Sequence, residues 1–516
     1  MNSRNEFSPG APLPRWVLYL VVFLCGAVVM ILELGGARQL APAFGQGLYV
    51  WSALITITLL GLAVGYRIGG RIADRWPSAR TLFFVFLGIA AWILILAPFQ
   101  AGLMYRLQAL GPRLGALVAG AFLVLPPLTG LGMVNPFAVR LRIRKTEEAG
   151  NIAGTVAAVS TAGSLVGAIL TGFWLIPWLG IKFLFLASGF CMMALAYLTA
   201  LWGYRKKEPP LIPGVVLLIL FILGVMYPEP PIYYGKNPVP TLIIKESNYG
   251  QVGIAELGDL RAMFLNGALQ SLMKQKDQIS YVHYTHGLVR LVNSFRGQSR
   301  KVLVIGLGGG AIPIFLERQG FEVTAVDIDP VVVELARKYM GLEKFRGKIV
   351  VEDARLFLNR TTEKYGAIVL DAFSADAPPF HLSTLEAFAA CKDRLDDDGI
   401  LVMNYICATA ADGRKPLAGI LTSLRHVFPE VRAYGEANTT IPENVFIVAG
   451  QALNNVPDSA RFKEVIPTEL EHKVNLALTH ALDIGDAVPP VTDDKYWLDL
   501  YDYRARLAAR HLKSGE

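Results

Sequence analysis

Seven apolar runs, at residues 16–34, 48–66, 81–99, 114–134, 152–176, 181–203 and 211–227, fill the first part of this chain. Each approaches the roughly 20 helical residues needed to cross a ~30 Å hydrocarbon core, and the last is the shortest. The pattern calls for a multi-pass α-helical membrane domain over 1–227. Charge is distributed accordingly. Residues 1–227 hold 17 Lys/Arg against 6 Asp/Glu, while residues 228–516 hold 32 against 36. The basic excess therefore sits in short loops between apolar runs, where it reads as a topology signal, and no nucleic-acid partner is expected. The first run leads into "ELGGARQLAPAFG" without a clear cleavage site, so an uncleaved anchor is expected. The fifth run, rich in Gly, Ala, Ser and Thr, should lie buried among neighbouring helices. Cys25, Cys191, Cys391 and Cys407 are far apart and show no metal-ligand spacing, so no metal is implied.

The remainder reads as a different kind of protein. "YPEPPIYYGKNPVP" interrupts any helix, and 228–240 is expected to be a Pro-rich linker. Short alternating runs broken by Gly, Asn and Asp follow, predicting a small antiparallel β-domain over 241–295. Over 296–516, apolar strands near 301–305, 322–327, 348–351, 366–371 and 399–405 alternate with helical stretches, before two late strands at 430–436 and 444–449. That alternation predicts an α/β Rossmann-like domain, whose ligands sit at the carboxyl ends of the strands.

Within it, "VLVIGLGGGAIPIFLERQGFEVTAVDID" (Val302 to Asp329) is strand, glycine turn, helix and strand. Gly306, Gly308 and Gly310 permit a tight turn and close backbone approach to a ligand. Asp327, 21 residues beyond Gly306, can accept from both hydroxyls of a ribose. These features alone suit NAD and S-adenosylmethionine equally. "VVEDAR" adds Asp353 after the third strand, where a carboxylate can accept from an adenine amino group. "AIVLDAFSADAPPFHL" adds Asp371 and Asp376 after the fourth, beside the reacting end of the cofactor.

From about Glu246 to Gly450 the chain resembles the spermidine synthase (aminopropyltransferase) family, and as a whole it resembles that family's membrane-fused branch. The resemblance is carried by "ESNYGQ", "LNGALQS", "KDQISY", "VLVIGLGGG", "VDID", "VEDAR" and "DAFSAD". It implies a small β-domain on a Rossmann-like, class I methyltransferase-type fold. The co-substrate would be decarboxylated S-adenosylmethionine, no metal would be needed, and the acceptor would be a small amine such as putrescine. It also allows a homodimer. By position, Asp371 matches the catalytic aspartate and Tyr281 the tyrosine that orients the attacking amine. Gln251 and Gln270 match residues of the aminopropyl and amine channel, Asp327 the ribose acid and Asp353 the adenine acid. In the proposed displacement a buried carboxylate deprotonates the amine. Asp371 is the candidate, with Asp376 as second counter-charge and His381 as a substrate contact.

Three acids that the resemblance leads one to expect are missing: Gly309 stands for the aspartate of the glycine turn, Gln278 for a glutamate and Asn266 for an aspartate. Their loss would also suit intact S-adenosylmethionine as donor, with a lipid or membrane-delivered acceptor. A non-catalytic polyamine or nucleoside sensor or transporter is the third reading. The expected location is the inner (plasma) membrane. Arg67, Arg71, Arg75, Arg80, Arg140, Arg142, Arg144, Lys145, Arg205, Lys206 and Lys207 make the even-numbered loops cytoplasmic. Seven crossings would then export the last domain, whereas an adenosylsulfonium donor belongs in the cytoplasm. The catalytic domain is therefore expected to be cytoplasmic, with 211–227 not spanning as drawn or another segment adding a half-crossing.

Overall fold

The computed structural model describes residues 13–45, 47–204, 208–228, 231–234, 237–295, 297–373, 378–451, 453, 466–479, 481–484, 488–495 and 498. It divides into Met1–Pro230 and Pro231–Glu516.

In the first unit every apolar run is helical: α1 (Arg15–Phe44), α2 (Leu48–Arg75), α3 (Ala79–Leu96), α5 (Gly111–Arg142), α6 (Ala149–Leu170), α7 (Ile176–Gly203) and α8 (Leu211–Met226), with a short α4 (Gln100–Leu107) between α3 and α5. Among the described residues, five helical stretches are long and apolar enough to cross a membrane, the α6–α7 stretch counting as one, and α8 falls short of that length. A five-residue π-helical stretch separates α6 from α7, and α7 itself is broken at Gly180 (φ 73°). Small residues set the contacts. A Cβ at Gly163 of α6 would lie 1.9 Å from the Phe23 carbonyl oxygen of α1, so only glycine permits that approach. Val156 and Gly167 are buried with Gly163, while the outer face is open, with Leu165 61% exposed. The expected burial of this run thus holds for one face alone, because residues three or four apart line one helix face.

Two contacts and a short connection define one end of this unit. Arg140 pairs with Asp74 at 3.3 Å, Arg80 Nε donates to the Tyr204 hydroxyl at 3.0 Å, and only three residues join α2 to α3. The α2–α3 and α5–α6 basic residues gather there. Helix α8 runs antiparallel along α7: the Tyr197 hydroxyl donates to Pro210 O near one end, and Lys182 Nζ donates to Tyr227 O at the other. The shortest run therefore pairs with α7 along its length and returns to the end away from the basic loops.

The second unit opens with a two-stranded ribbon, β1 (Ile232–Tyr234) and β2 (Asn237–Val239), inside the stretch expected to be linker. A four-stranded antiparallel sheet follows: β3 (Thr241–Glu246), β4 (Gln251–Leu257), β5 (Leu260–Leu265) and β6 (Ala268–Lys274). Helix α9 (His283–Phe295) leads into the larger sheet, formed by β7 (Lys301–Ile305), β8 (Glu322–Asp327), β9 (Lys348–Val351), β10 (Tyr365–Leu370), β11 (Leu395–Cys407), β12 (Glu430–Tyr434) and β13 (Glu443–Gly450). Its order is β12-β13-β11-β10-β7-β8-β9, and β13 alone runs against the others. This is the expected Rossmann-like, methyltransferase-type sheet. Strands β7 and β10 are buried along nearly their whole length, which is why they read as unbroken apolar runs.

Helices cover both faces. On one side α9, α10 (Ala311–Arg318), α11 (Pro330–Tyr339) and α15 (Thr468–Thr479) pack with Val304, Phe315 and Leu335. On the other, α12 (Ala354–Arg360), α13 (Leu385–Lys392) and α14 (Lys415–Val427) pack with Ile305, Phe388 and Leu421. "VTDDKYW" reads as a helix start, but residues 491–495 form no helix. There Asp493 accepts from Thr384 Oγ1 at 2.6 Å and pairs with Arg355 at 3.2 Å.

Candidate active site

The parallel strands end together, and the acids singled out in the sequence follow them. After β7 the chain turns through Gly306 (φ 92°), Gly308 (φ 51°) and Gly310 (φ 85°), a conformation in which any other residue is strained. At Gly306 proximity adds a second constraint, because a Cβ there would lie 2.3 Å from the Asp371 carbonyl oxygen. The glycine turn and Asp371 are thus locked side by side, and the Asp371 N–H donates to Ile305 O at 2.9 Å.

Asp327, ending β8, organises that turn. Its Oδ2 accepts from the Leu307 N–H at 2.8 Å and its Oδ1 from the Asp329 N–H at 2.9 Å. Burial nevertheless pushes its carboxyl up to about 6, outweighing the N–H groups of Asp329, Leu307 and Gly308. Neighbouring Asp329 caps α11 through Val331 N–H and accepts from Ser247 Oγ at 2.6 Å, which ties the small sheet to the large one. Asp353 caps α12, accepting from the Leu356 N–H at 3.0 Å, and its second oxygen meets His381 Nε2 at 2.9 Å. His381, expected as a substrate contact, therefore sits on the acid assigned to adenine.

Asp371 lies in the deepest electrostatic setting of the group. Asn404 Nδ2 donates to its Oδ1 at 2.9 Å, and Asn444 Nδ2 donates in turn to Asn404 Oδ1 at 2.9 Å. The Tyr284 hydroxyl lies between Asp371 and the Gln270 carbonyl oxygen, 3.2 Å from the latter. Burial pushes the Asp371 carboxyl up to about 7, against the lowering effect of Asn404 and Tyr284. Burial also pushes the Tyr284 phenol well above its usual range, and the Asp371 charge adds to that. A carboxyl balanced near neutrality can take up a proton at physiological pH, which a general base requires.

The hydroxyl that meets Asp371 belongs to Tyr284 rather than to Tyr281, whose N–H pairs with Leu272 O. Gln251 Nε2 donates to Glu246 at 2.8 Å, and Gln270 contributes its carbonyl to Tyr284. Asp376 lies outside the described residues. Asn404 and Asn444 carry no motif signal; strand register could have indicated Asn404, because Leu370 pairs with Met403 and the next residues are Asp371 and Asn404.

The missing acids have structural substitutes. Gln278 donates to Gly341 O at 2.9 Å and accepts from Arg318 at 2.8 Å, while Asn266 Oδ1 accepts the Gln251 N–H. At Gly309 the N–H donates to Ser271 Oγ at 2.8 Å, and a Cβ would fall 2.7 Å from Ser271 Cβ. Ser271 thus fills the space an aspartate side chain would enter.

Residues 282–456 match the model of the spermine/spermidine synthase domain. The chain is 26% identical over 402 residues to polyamine aminopropyltransferase 2 of Aquifex aeolicus, covering 75% of this chain and 78% of that one. It is 31% identical over 221 residues to polyamine aminopropyltransferase of Yersinia pseudotuberculosis, covering 41% and 69%. It is 35% identical over 173 residues to an N-terminal histidine N-methyltransferase of Emericella nidulans, covering 31% and 30%. Among solved structures, the spermidine synthase from Thermotoga maritima aligns with 51% of this chain and 93% of its own, at 20% identity and a TM-score of 0.39.

Proposed function

Because this chain belongs to the spermine/spermidine synthase (polyamine aminopropyltransferase) family and is a transferase enzyme, we propose that it transfers the aminopropyl group of decarboxylated S-adenosylmethionine to a diamine such as putrescine. The amine nitrogen attacks the carbon beside the sulfonium, a C–N bond forms as the C–S bond breaks, and methylthioadenosine leaves with the electron pair. The proton released from the amine passes to Asp371. Tyr284 and Asn404 hold that carboxylate, Asp327 takes the ribose hydroxyls and Asp353 the adenine amino group, with Gln251 and Gln270 along the channel.

The observation that carries this reading is the Asp371 carboxyl, fixed against the glycine turn and pushed up to about 7 by burial. Asp371→Asn keeps the shape and removes the base. We expect turnover to fall at least about a thousandfold, within the range a positioned general base supplies together with its charge, while methylthioadenosine still binds. Turnover within a few-fold of the parent enzyme would remove Asp371 from the chemistry.

A second reading rests on Ser271 and Gly309. Where the family resemblance leads one to expect a carboxylate, the Ser271 hydroxyl occupies the space, so a donor that keeps its own α-carboxylate meets no negative side chain at that position. Intact S-adenosylmethionine with a lipid or membrane-delivered acceptor follows from it, and adenosylhomocysteine among the products would identify methyl transfer.

Anchoring in the inner membrane is supported by the five apolar stretches and by the gathering of basic residues at one end. Exposed Phe173, Trp174 and Trp178 lie where α6 gives way to α7, away from that end, as an interfacial aromatic belt would. Sidedness turns on α8. With the basic loops cytoplasmic, a full crossing by α8 alongside α7 would carry Tyr227 to the opposite face, against the cytoplasmic catalytic domain expected from the donor's chemistry. A donor made in the cytoplasm would then have to be delivered across the membrane.

A further inference from the structure

Asp371, Asn404 and Asn444 form a hydrogen-bonded line across three neighbouring strands. Asp371 follows β10, Asn404 is its register neighbour on β11, and Asn444 lies diagonally across from Asn404 on β13, since Asn404 faces Phe446 and Ile406 faces Asn444. Asn404 is 2% exposed. Both links measure 2.9 Å, and both run from an amide N–H towards the carboxylate.

The direction of these bonds matters more than their number. A primary amide is a donor on one side and an acceptor on the other, and rotation by half a turn exchanges them. If Asn404 rotated, its carbonyl would face the Asp371 carboxylate, two acceptors in contact inside a buried site. The Asn444 N–H donates to the Asn404 oxygen, which favours the orientation that presents N–H to Asp371. Oδ1 then accepts from the Asn404 N–H. We propose that Asn444 is a positioning residue for the transfer reaction: through Asn404 it fixes the orientation of the Asp371 carboxylate without itself meeting substrate. This inference rests on the assignment of Asp371 as base.

Among the described residues, the influences acting on Asp371 are burial, the Asn404 amide from β11 and the Tyr284 phenol from α9. No charged side chain from β7, β11 or β13 adds to them. A change at Asn444 should therefore be felt as a change in when Asp371 ionises.

Two near-isosteric variants test this. Asn444→Leu removes the donor and lets Asn404 rotate. Asn444→Asp replaces the donor by an acceptor, which draws the Asn404 N–H away and adds a like charge. The acid limb of kcat/KM is expected to move to higher pH in both, by about half a unit in the first and about one unit or more in the second, the loss of part or all of one hydrogen bond to a charged group. Above the limb, rates return to within about threefold of the parent enzyme, and methylthioadenosine affinity, which reports an intact fold, changes less than about twofold. A drop in kcat/KM that is uniform across pH, or a limb that stays put in Asn444→Asp while the nucleoside still binds, overturns the inference. Asp371→Asn separates the two claims: if it retains activity, the base assignment fails first; if it is inactive while Asn444→Asp is unaffected, only the positioning role fails.

Discussion

The tyrosine at the base can be tested directly. Family resemblance points to Tyr281 as the tyrosine that orients the amine, and the hydroxyl next to Asp371 is that of Tyr284. Tyr284→Phe removes one donor and leaves the ring in place. A hydrogen bond to a charged group is worth about 1.5–3 kcal/mol. The Tyr284 proton is shared between Asp371 and the Gln270 carbonyl, so the lower figure applies, which corresponds to about one pH unit. Losing a donor to the ionised form raises the carboxyl further above about 7, so the active, deprotonated base appears at higher pH. In kcat/KM measured from pH 5.5 to 9.5, Tyr284→Phe should therefore be down about tenfold below the limb and nearly normal above pH 9. Tyr281→Phe should leave the limb where it is and change mainly KM. If Tyr281→Phe shifts the limb and Tyr284→Phe does not, the geometry drawn around Asp371 is wrong.

Three other outcomes follow. Asp327, held up to about 6 by burial, accepts from two ribose hydroxyls only when ionised, so methylthioadenosine affinity measured calorimetrically should rise from pH 5 to pH 7. Asp327→Asn should flatten that rise and weaken binding at pH 8 by about tenfold or more; an unchanged profile would detach Asp327 from the ribose. Gly309→Asp should weaken nucleoside binding because its Cβ meets Ser271 at 2.7 Å, and pairing it with Ser271→Gly should restore binding and favour the decarboxylated donor by about tenfold; equal preference in the double variant would refute that role. For topology, a reporter active only after export should be active, and a fluorescent reporter that requires the cytoplasm dark, when fused after residue 228. The reverse pair would put the catalytic unit in the cytoplasm, and release of the chain by alkaline carbonate would remove the membrane from the account altogether.

The sheet was readable because its strands are short apolar runs separated by helical stretches, and β7, β8 and β9 lie where those runs end. The acids after them were readable for the same reason, since a polar residue that terminates a buried strand must face the ligand edge. Side-chain direction was not. Nothing in "KDQISYVHY" tells which tyrosine turns towards Asp371, because that depends on how the first turn of α9 packs against β6. Asn404 and Asn444 are forty residues apart and meet only through the register of β11 with β13. His381 reads as a substrate contact beside Asp376, and its Nε2 meets Asp353. Gln278 and Asn266 read as lost charges, but both are tied into the backbone of neighbouring turns.

The most direct test is to incubate the purified full-length protein in detergent or nanodiscs with decarboxylated or intact S-adenosylmethionine and a panel of diamines, and to quantify both nucleoside products. Methylthioadenosine formed in step with an aminopropylated amine, from the decarboxylated donor only, is the result predicted here. Adenosylhomocysteine from the intact donor, with no methylthioadenosine from the decarboxylated one, would contradict it.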